Sequence, residues 1–196
     1  MDFKGKAYYL LVGCFFSFVY PVFAQDQRVA DDLLSQYKAD TLQGVKKLEL
    51  LRNLTFNEIN DAKLALQFAD ELIDQSKQQG NKEYQFHGHY QKGNHKSRLG
   101  NLKDALEAYF ESARIAKEEK LIKLEGSAYS AIADIYSISD NHKNAMLYYN
   151  NAIALLRQSD VPISLASVIL NAGDALLTNK EYDLALVYFM ESGAIF

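Results

Sequence analysis

Cysteine is all but absent: the single thiol, Cys14, lies in the first apolar stretch of a 196-residue chain. Disulfide staples, cysteine-based metal sites and thiol nucleophiles are thereby excluded from everything that follows it. Proline is as scarce, with Pro21 and Pro162 alone, so long helices can run without interruption. Tryptophan is missing, and no tract is low in complexity. Positive charge is short as well, with 21 Lys and Arg against 25 Asp and Glu, a net charge of −4. An acidic chain with no basic stripe is read as having no nucleic-acid partner, and anionic membranes are disfavoured for the same reason. Hydrophobic residues nonetheless make up 48% of the chain, enough for a continuous core.

What is present is a period. Ala65, Ala105, Ala145 and Ala185 stand 40 residues apart, and Asn53, Gly93, Ala133 and Gly173 keep the same interval twelve residues earlier. A fixed period with small residues at fixed points marks stacked supersecondary units whose backbones approach closely. Around the alanines the pattern is Leu102-x2-Ala105-x3-Tyr109, His142-x2-Ala145-x3-Tyr149 and Tyr182-x2-Ala185-x3-Phe189. Spacings of three and four place these side chains on one helical stripe. A second helical segment precedes each, holding Tyr129, Ile132, Ala133 and Tyr136 in one unit and Ile169, Ala172, Gly173 and Leu176 in the next. Each unit is therefore two antiparallel helices. Gly or Ala at their crossing lets the axes approach to the short end of roughly 8–10 Å, with the aromatic of the second helix beside it.

These residues resemble the tetratricopeptide repeat family. Tyr129, Ile132, Ala133, Tyr136, Ala145, Tyr149 and Ala152 all stand at the family's positions. The unit before keeps Gly93, Gly100, Leu102, Ala105 and Tyr109, but His89 and Lys92 replace apolar residues and weaken its first helix. The last keeps Ile169, Gly173, Tyr182, Ala185 and Phe189, whereas the first keeps little besides Ala65. The resemblance implies an all-α fold, a right-handed α-solenoid of antiparallel helix pairs, with units at 46–85, 86–125, 126–165 and 166–196. Residues 25–45 form a capping helix and linker, in which Val29, Leu33, Leu34 and Tyr37 share one face. Turn signals fall between helices: Gly80-Asn81, Gly100-Asn101, Ser139-Asp140-Asn141, Ser159-Asp160 before Pro162, and Thr178-x-x-Glu181 as a capping box.

The N-terminus is of another kind. Lys4 and Lys6 precede an 18-residue apolar run, residues 7–24, ending in Val22-Phe23-Ala24 before Gln25. This reads as a secretory signal peptide spanning residues 1–24, and hence a periplasmic or cell-envelope protein. Two alternatives stay open: an uncleaved membrane anchor, and a lipoprotein, because Leu11-Val12-Gly13-Cys14 resembles a lipobox. Cleavage after Ala24 removes Asp2, Lys4, Lys6 and the only cysteine, leaving 19 basic and 24 acidic residues and a net charge of −5.

Candidate chemical sites are few. His87, His89 and His95 share a helix, but their spacings are not the three or four that put two metal ligands on one face. Gly88-x4-Gly93 begins like a phosphate-binding loop, yet Asn94-His95 follows where Lys-Ser/Thr is required. Asn53-Leu54-Thr55 has the pattern of a glycosylation sequon, but Asn53 occupies the helix crossing. No catalytic, cofactor-binding or metal-binding residue is assigned, no cofactor is implied, and the chain is not read as an enzyme.

In the resembling family, first helices line a concave groove that takes extended peptides or helices. Carried over, those positions are His87, Tyr90, Asn94, Ser97 and Arg98, then Ser127, Ser130, Asp134, Ser137 and Ile138, then Ser167, Leu170, Asp174, Leu177 and Thr178. The groove is polar at one end and partly apolar at the other. The partner expected is a protein or peptide; a small-molecule-binding solenoid is the less favoured alternative. At the C-terminus Phe189, Met190, Ile195 and Phe196 have no polar capping helix after them, so the array reads as truncated or as self-associating through its last helix. The later units also resemble the exported sensory repeats of bacterial adenylate/guanylate cyclases and histidine kinases, which implies a larger signalling parent with a catalytic domain and a membrane span further on.

Overall fold

A computed structural model describes residues 26–195. Residues 1–25 and 196, and with them the signal-peptide reading and Phe196, lie outside the described residues. Nine helices follow one another among those described: α1 (Gln27–Ala39), α2 (Val45–Asn57), α3 (Ala62–Gln78), α4 (Lys82–Arg98), α5 (Leu102–Glu118), α6 (Ile122–Ile138), α7 (His142–Leu156), α8 (Pro162–Thr178) and α9 (Tyr182–Ile195). Within this range there is no strand, and no helix is long and apolar enough to cross a membrane.

The turns explain why the helices stop where they do. Gly80, Gly100, Lys120, Asp140 and Lys180 all have φ between 54° and 76°, the left-handed conformation that ends a helix and reverses the chain. In each turn two backbone bonds close behind that residue, as when the Gly80 N–H donates to the Lys77 carbonyl and the Asn81 N–H to Ser76. The same pair of bonds recurs at residues 100, 120, 140 and 180. The α7–α8 turn differs because Pro162 is the first residue of α8 and keeps Val161 out of the helical region, at φ −139° and ψ 62°. Asn81 and Asn141 cap the next helices through their side-chain oxygens. Thr178 and Glu181 do not form a capping box. Thr178 is the last residue of α8 and its hydroxyl donates back to the Asp174 carbonyl, while the Glu181 carbonyl accepts the first bond of α9.

The helices pack as pairs, α2/α3, α4/α5, α6/α7 and α8/α9, in an all-α solenoid with α1 laid against α2. Ala65, Ala105, Ala145 and Ala185 are all buried, as is Ala133. At the crossings the need for a small residue is steric: a Cβ at Gly93 would lie 2.5 Å from the Tyr109 ring, and one at Gly173 would lie 2.6 Å from Phe189. Between pairs, a Cβ at Gly88 would meet the Ile73 side chain at 2.6 Å. Three clusters of buried apolar residues follow one another along the stack, centred on Leu51 and Phe68, on Tyr109 and Ile132, and on Tyr149 and Ile169.

Two sequence expectations change. Leu33, Leu34 and Tyr37 of α1 pack onto the first cluster, but Val29 is exposed and Ala30 takes the buried position instead. The helix α4 is as long as α6 and α8; Lys92 is turned outward onto Asp70 of α3 at 2.7 Å, while His89 holds a buried Nε2 with no hydrogen-bond partner among the described residues. Phe189 and Ile195 are half-buried, Phe189 against Gly173 and Ile195 beside the third cluster. The exposed apolar residues of α9 are Leu184, Leu186, Val187 and Met190, with Tyr182 at its start.

Candidate functional site

Curvature decides which face can receive a partner. The backbones of α2, α4, α6 and α8 approach one another in succession, whereas those of α3, α5, α7 and α9 do not. The stack is therefore closed along its first helices, which form the inner face, and splayed along its second helices. The groove positions read from the sequence lie on α4, α6 and α8.

At the N-terminal end those side chains are already engaged. His87 is largely buried, its ring 5.3 Å from that of Phe86, and burial with the nearby Arg52 charge lowers its pKa to about 4. Tyr90 stacks on Phe86 at 5.5 Å and tilts onto Tyr109 at 5.6 Å; burial, then the Asp134 charge, pushes its hydroxyl up to about 12. Asn94 accepts the Tyr109 hydroxyl proton at 2.7 Å and donates to Gln91 at 2.9 Å. Arg98 donates to the Ile59 carbonyl at 3.3 Å, reaching back to the loop before α3.

The middle of the face repeats this arrangement one unit on. Asp134 accepts from the Tyr149 hydroxyl at 2.6 Å and from Asn171 at 3.3 Å. Burial raises the Asp134 pKa, and the two hydrogen bonds act against that rise. Asp134 thus locks α6 to α7 and α8. Ser130 is only 9% exposed and belongs to the packing between helices rather than to an open groove. Ser127 and Ser167 turn back on their own helices, donating to the Lys123 and Ile163 carbonyls.

The C-terminal end is different. In the fourth unit Phe189 stands where Tyr109 and Tyr149 stand, so no hydroxyl reaches Asp174, and that residue is exposed. Leu170 and Leu177 are exposed beside it on α8, and Ile138, at 64% exposure, ends the adjoining α6. Ser137 and Thr178 border a hollow of about 130 Å³ that also contains Asp140, His142 and Asn179. Apolar area, the exposed carboxylates of Asp174 and Asp140 and small polar groups therefore occur together around the C-terminal halves of α6 and α8.

The pairing of Tyr109 with Asn94 and Tyr149 with Asp134 was missed from sequence, although a signal existed. The acceptor lies 15 residues before the tyrosine in both units. Asn171 carries no such repeat. A larger cavity, about 580 Å³, opens between α1, α2 and α3 and is lined by Tyr37, Asp40, Lys47, Glu71 and Gln75. Its charged groups satisfy one another: Lys47 lies 3.1 Å from Asp40 and over the Tyr37 ring, and the Tyr37 hydroxyl donates to Glu71 at 2.6 Å. This cluster latches α1 to the first pair.

No family model matches the chain, and neither does any curated protein. Solved structures do. BtubC (BKLC) from P. vanneervenii superposes with a TM-score of 0.70 at 18% identity, over 86% of this chain and 70% of that one. A Rap protein complexed with Competence and Sporulation Factor gives 0.76 at 13% identity, over 85% of this chain and 48% of its own. A putative kinesin light chain from Podosopora anserina with TPR-like repeats gives 0.66 at 13% identity, over 86% and 85%. This chain spans about half the length of the Rap protein. The fold is a tetratricopeptide-like helical repeat.

Proposed function

We propose that the chain is a non-catalytic interaction scaffold that takes a peptide or protein segment on the inner face of α6 and α8. The observation that carries this reading is the contrast along that face. Asn94 and Asp134 are tied into the fold, whereas Leu170, Asp174 and Leu177 are exposed together. Exposed leucines beside Asp174, with the exposed Asp140 at the end of the same face, suit a segment with an apolar side chain next to a Lys or Arg. The Rap protein solved with Competence and Sporulation Factor supports partner binding as a use of this fold. The export signal in residues 1–24 and the likeness to sensory repeat regions extend the proposal: the scaffold works in the periplasm or cell envelope as the sensory part of a larger signalling protein.

The test is selection from a displayed random-peptide library. Peptides joining apolar residues to Lys or Arg are expected to be enriched. Leu177→Asp is expected to weaken them by roughly tenfold, equivalent to about 1.4 kcal/mol, and Asp174→Lys to shift the preference to acidic peptides. Binders insensitive to both substitutions but lost with Arg114→Glu on α5 would place the site on the outer face instead.

A further inference from the structure

One side chain is missing from a row that is otherwise aromatic. Phe68, Ala108, Tyr148 and Tyr188 stand 40 residues apart, one on each second helix. Each aromatic of the series reaches back to an earlier element. The Phe68 ring lies 5.2 Å from that of Tyr37 on α1, the Tyr148 ring 5.8 Å from Phe110 on α5, and the Tyr188 hydroxyl donates to Asn150 of α7 at 3.1 Å. Tyr148 is also held on α6, stacked on Tyr136 at 5.6 Å and tilted onto Tyr129 at 5.7 Å. One unit earlier Ala108 supplies only a methyl group, and the positions of Tyr129 and Tyr136 are taken by His89 and Lys96. A hollow of about 380 Å³ opens there, lined by His89, Lys92 and Lys96 of α4 and by Asp104, Glu107 and Ala108 of α5. Its size falls within the roughly 300–1,000 Å³ common for small-molecule sites. Helical spacing puts it on the opposite side of α4 from His87, Tyr90 and Asn94.

Two features of the hollow select what fits it. Its charged walls pair among themselves, Lys92 with Asp70 at 2.7 Å, Lys96 with Asp104 at 3.0 Å and Glu111 with Arg114, so a neutral group suits it better than an ion. His89, by contrast, holds a buried Nε2 with no hydrogen-bond partner among the described residues. Burial lowers the His89 pKa to about 4, so at pH 7 the imidazole is neutral and offers one N–H and one bare nitrogen. A hydroxyl both donates and accepts, and therefore serves Nε2 in either tautomer. We propose that the hollow binds a hydroxylated aromatic ring, a free phenol or a tyrosyl side chain, in the place that Tyr148 fills one unit on. The ring lies against Ala108 and meets the Lys96 ammonium with its face, a cation–π contact where Tyr148 has the Tyr136 ring. The hydroxyl goes to His89, whose imidazole turns about Cβ–Cγ to bring Nε2 into the hollow.

Amide chemical-shift mapping of the full chain with p-cresol tests this, because it reads the place of binding without relying on a variant. Saturable shifts centred on His89, Lys92, Lys96 and Ala108 are expected, with a dissociation constant of about 1 mM for so small a ligand. Toluene, which lacks the hydroxyl, is expected to bind roughly tenfold more weakly, and in His89→Phe the two should bind alike. Ala108→Tyr restores the missing ring and should abolish the shifts while keeping or raising the melting temperature. Ala108→Leu fills part of the same space and should weaken them. A short peptide with one Tyr between glycines separates the two sources: its exclusion assigns a free phenol, and its binding at the same amides assigns a tyrosyl side chain. Absence of saturable shifts at these amides with both p-cresol and the peptide, toluene binding as tightly as p-cresol, or p-cresol binding unchanged by either substitution at Ala108 would each overturn the proposal.

Discussion

Two tyrosine hydroxyls decide what the inner face can offer. Tyr109 and Tyr149 reach across their helix pairs to Asn94 and Asp134, and burial raises the pKa of both phenols, so each remains a hydrogen-bond donor. Tyr149→Phe leaves a half-buried carboxylate short of its main donor and is expected to cost about 1.5–3 kcal/mol. Tyr109→Phe should cost less, about 0.5–1.5 kcal/mol, because Asn94 is neutral and keeps Gln91. Thermal denaturation of the two variants checks both values. The imidazoles of α4 set the response to acid. Burial lowers His87 and His89 to about 4 and lowers His95 too, despite the Thr55 carbonyl 2.7 Å from its Nε2. Histidines buried neutral stabilise the fold fully above the ordinary value of 6.5, and that stability is lost as pH falls from 6.5 toward 4. Asp134, raised by burial, acts in the opposite sense, one group against three. The melting temperature is expected to fall across that window and to fall less in His89→Gln; a flat profile would mean that α4 tolerates charged imidazoles.

Helix termini show how much of the fold was legible in advance. The 40-residue spacing of Ala65, Ala105, Ala145 and Ala185 reported a physical requirement, close approach at each crossing, so the helix pairs and their register could be read directly. The turns were partly legible: Gly80 and Gly100 announced the left-handed residue, whereas Lys120 and Lys180 adopt the same conformation with no sequence mark. A side chain in that region carries a steric cost of roughly 1–2 kcal/mol that glycine avoids. Lys180→Gly is therefore expected to raise stability by up to about 1 kcal/mol, and Gly100→Ala to lower it by a similar amount, both measurable by urea denaturation. The groove was read less well for a different reason. Its positions were assigned by register alone, and register does not say whether Asn94 or Asp134 is already spoken for by a partner across the turn. Ser130 fell to the same limit, since its burial depends on how closely α6 and its neighbours pack.

Over the whole molecule the inner face divides into an N-terminal half whose groove side chains are tied to one another and a C-terminal half where they are exposed, although His89 Nε2 and His95 Nδ1 of α4 are buried without a hydrogen-bond partner among the described residues. Polar groups around α1 and α4 are latched to one another, while Leu170, Leu177 and Ile138 line the inner face and Leu186, Val187 and Met190 the outer edge. The export proposal belongs to this scale as well. Material recovered from the cell envelope is expected to begin at Gln25; an intact mass retaining residues 1–24, or a diacylglyceryl addition at Cys14, would contradict it. The binding face is tested most directly by amide chemical-shift mapping with a library-selected peptide of the apolar-basic type. Shifts concentrated on Ser137, Ile138, Leu170, Asp174 and Leu177, and abolished by Leu177→Asp, are the predicted result. Shifts confined to α5, α7 and α9, with α6 and α8 unmoved, would show that the inner face is not where this solenoid meets its partner.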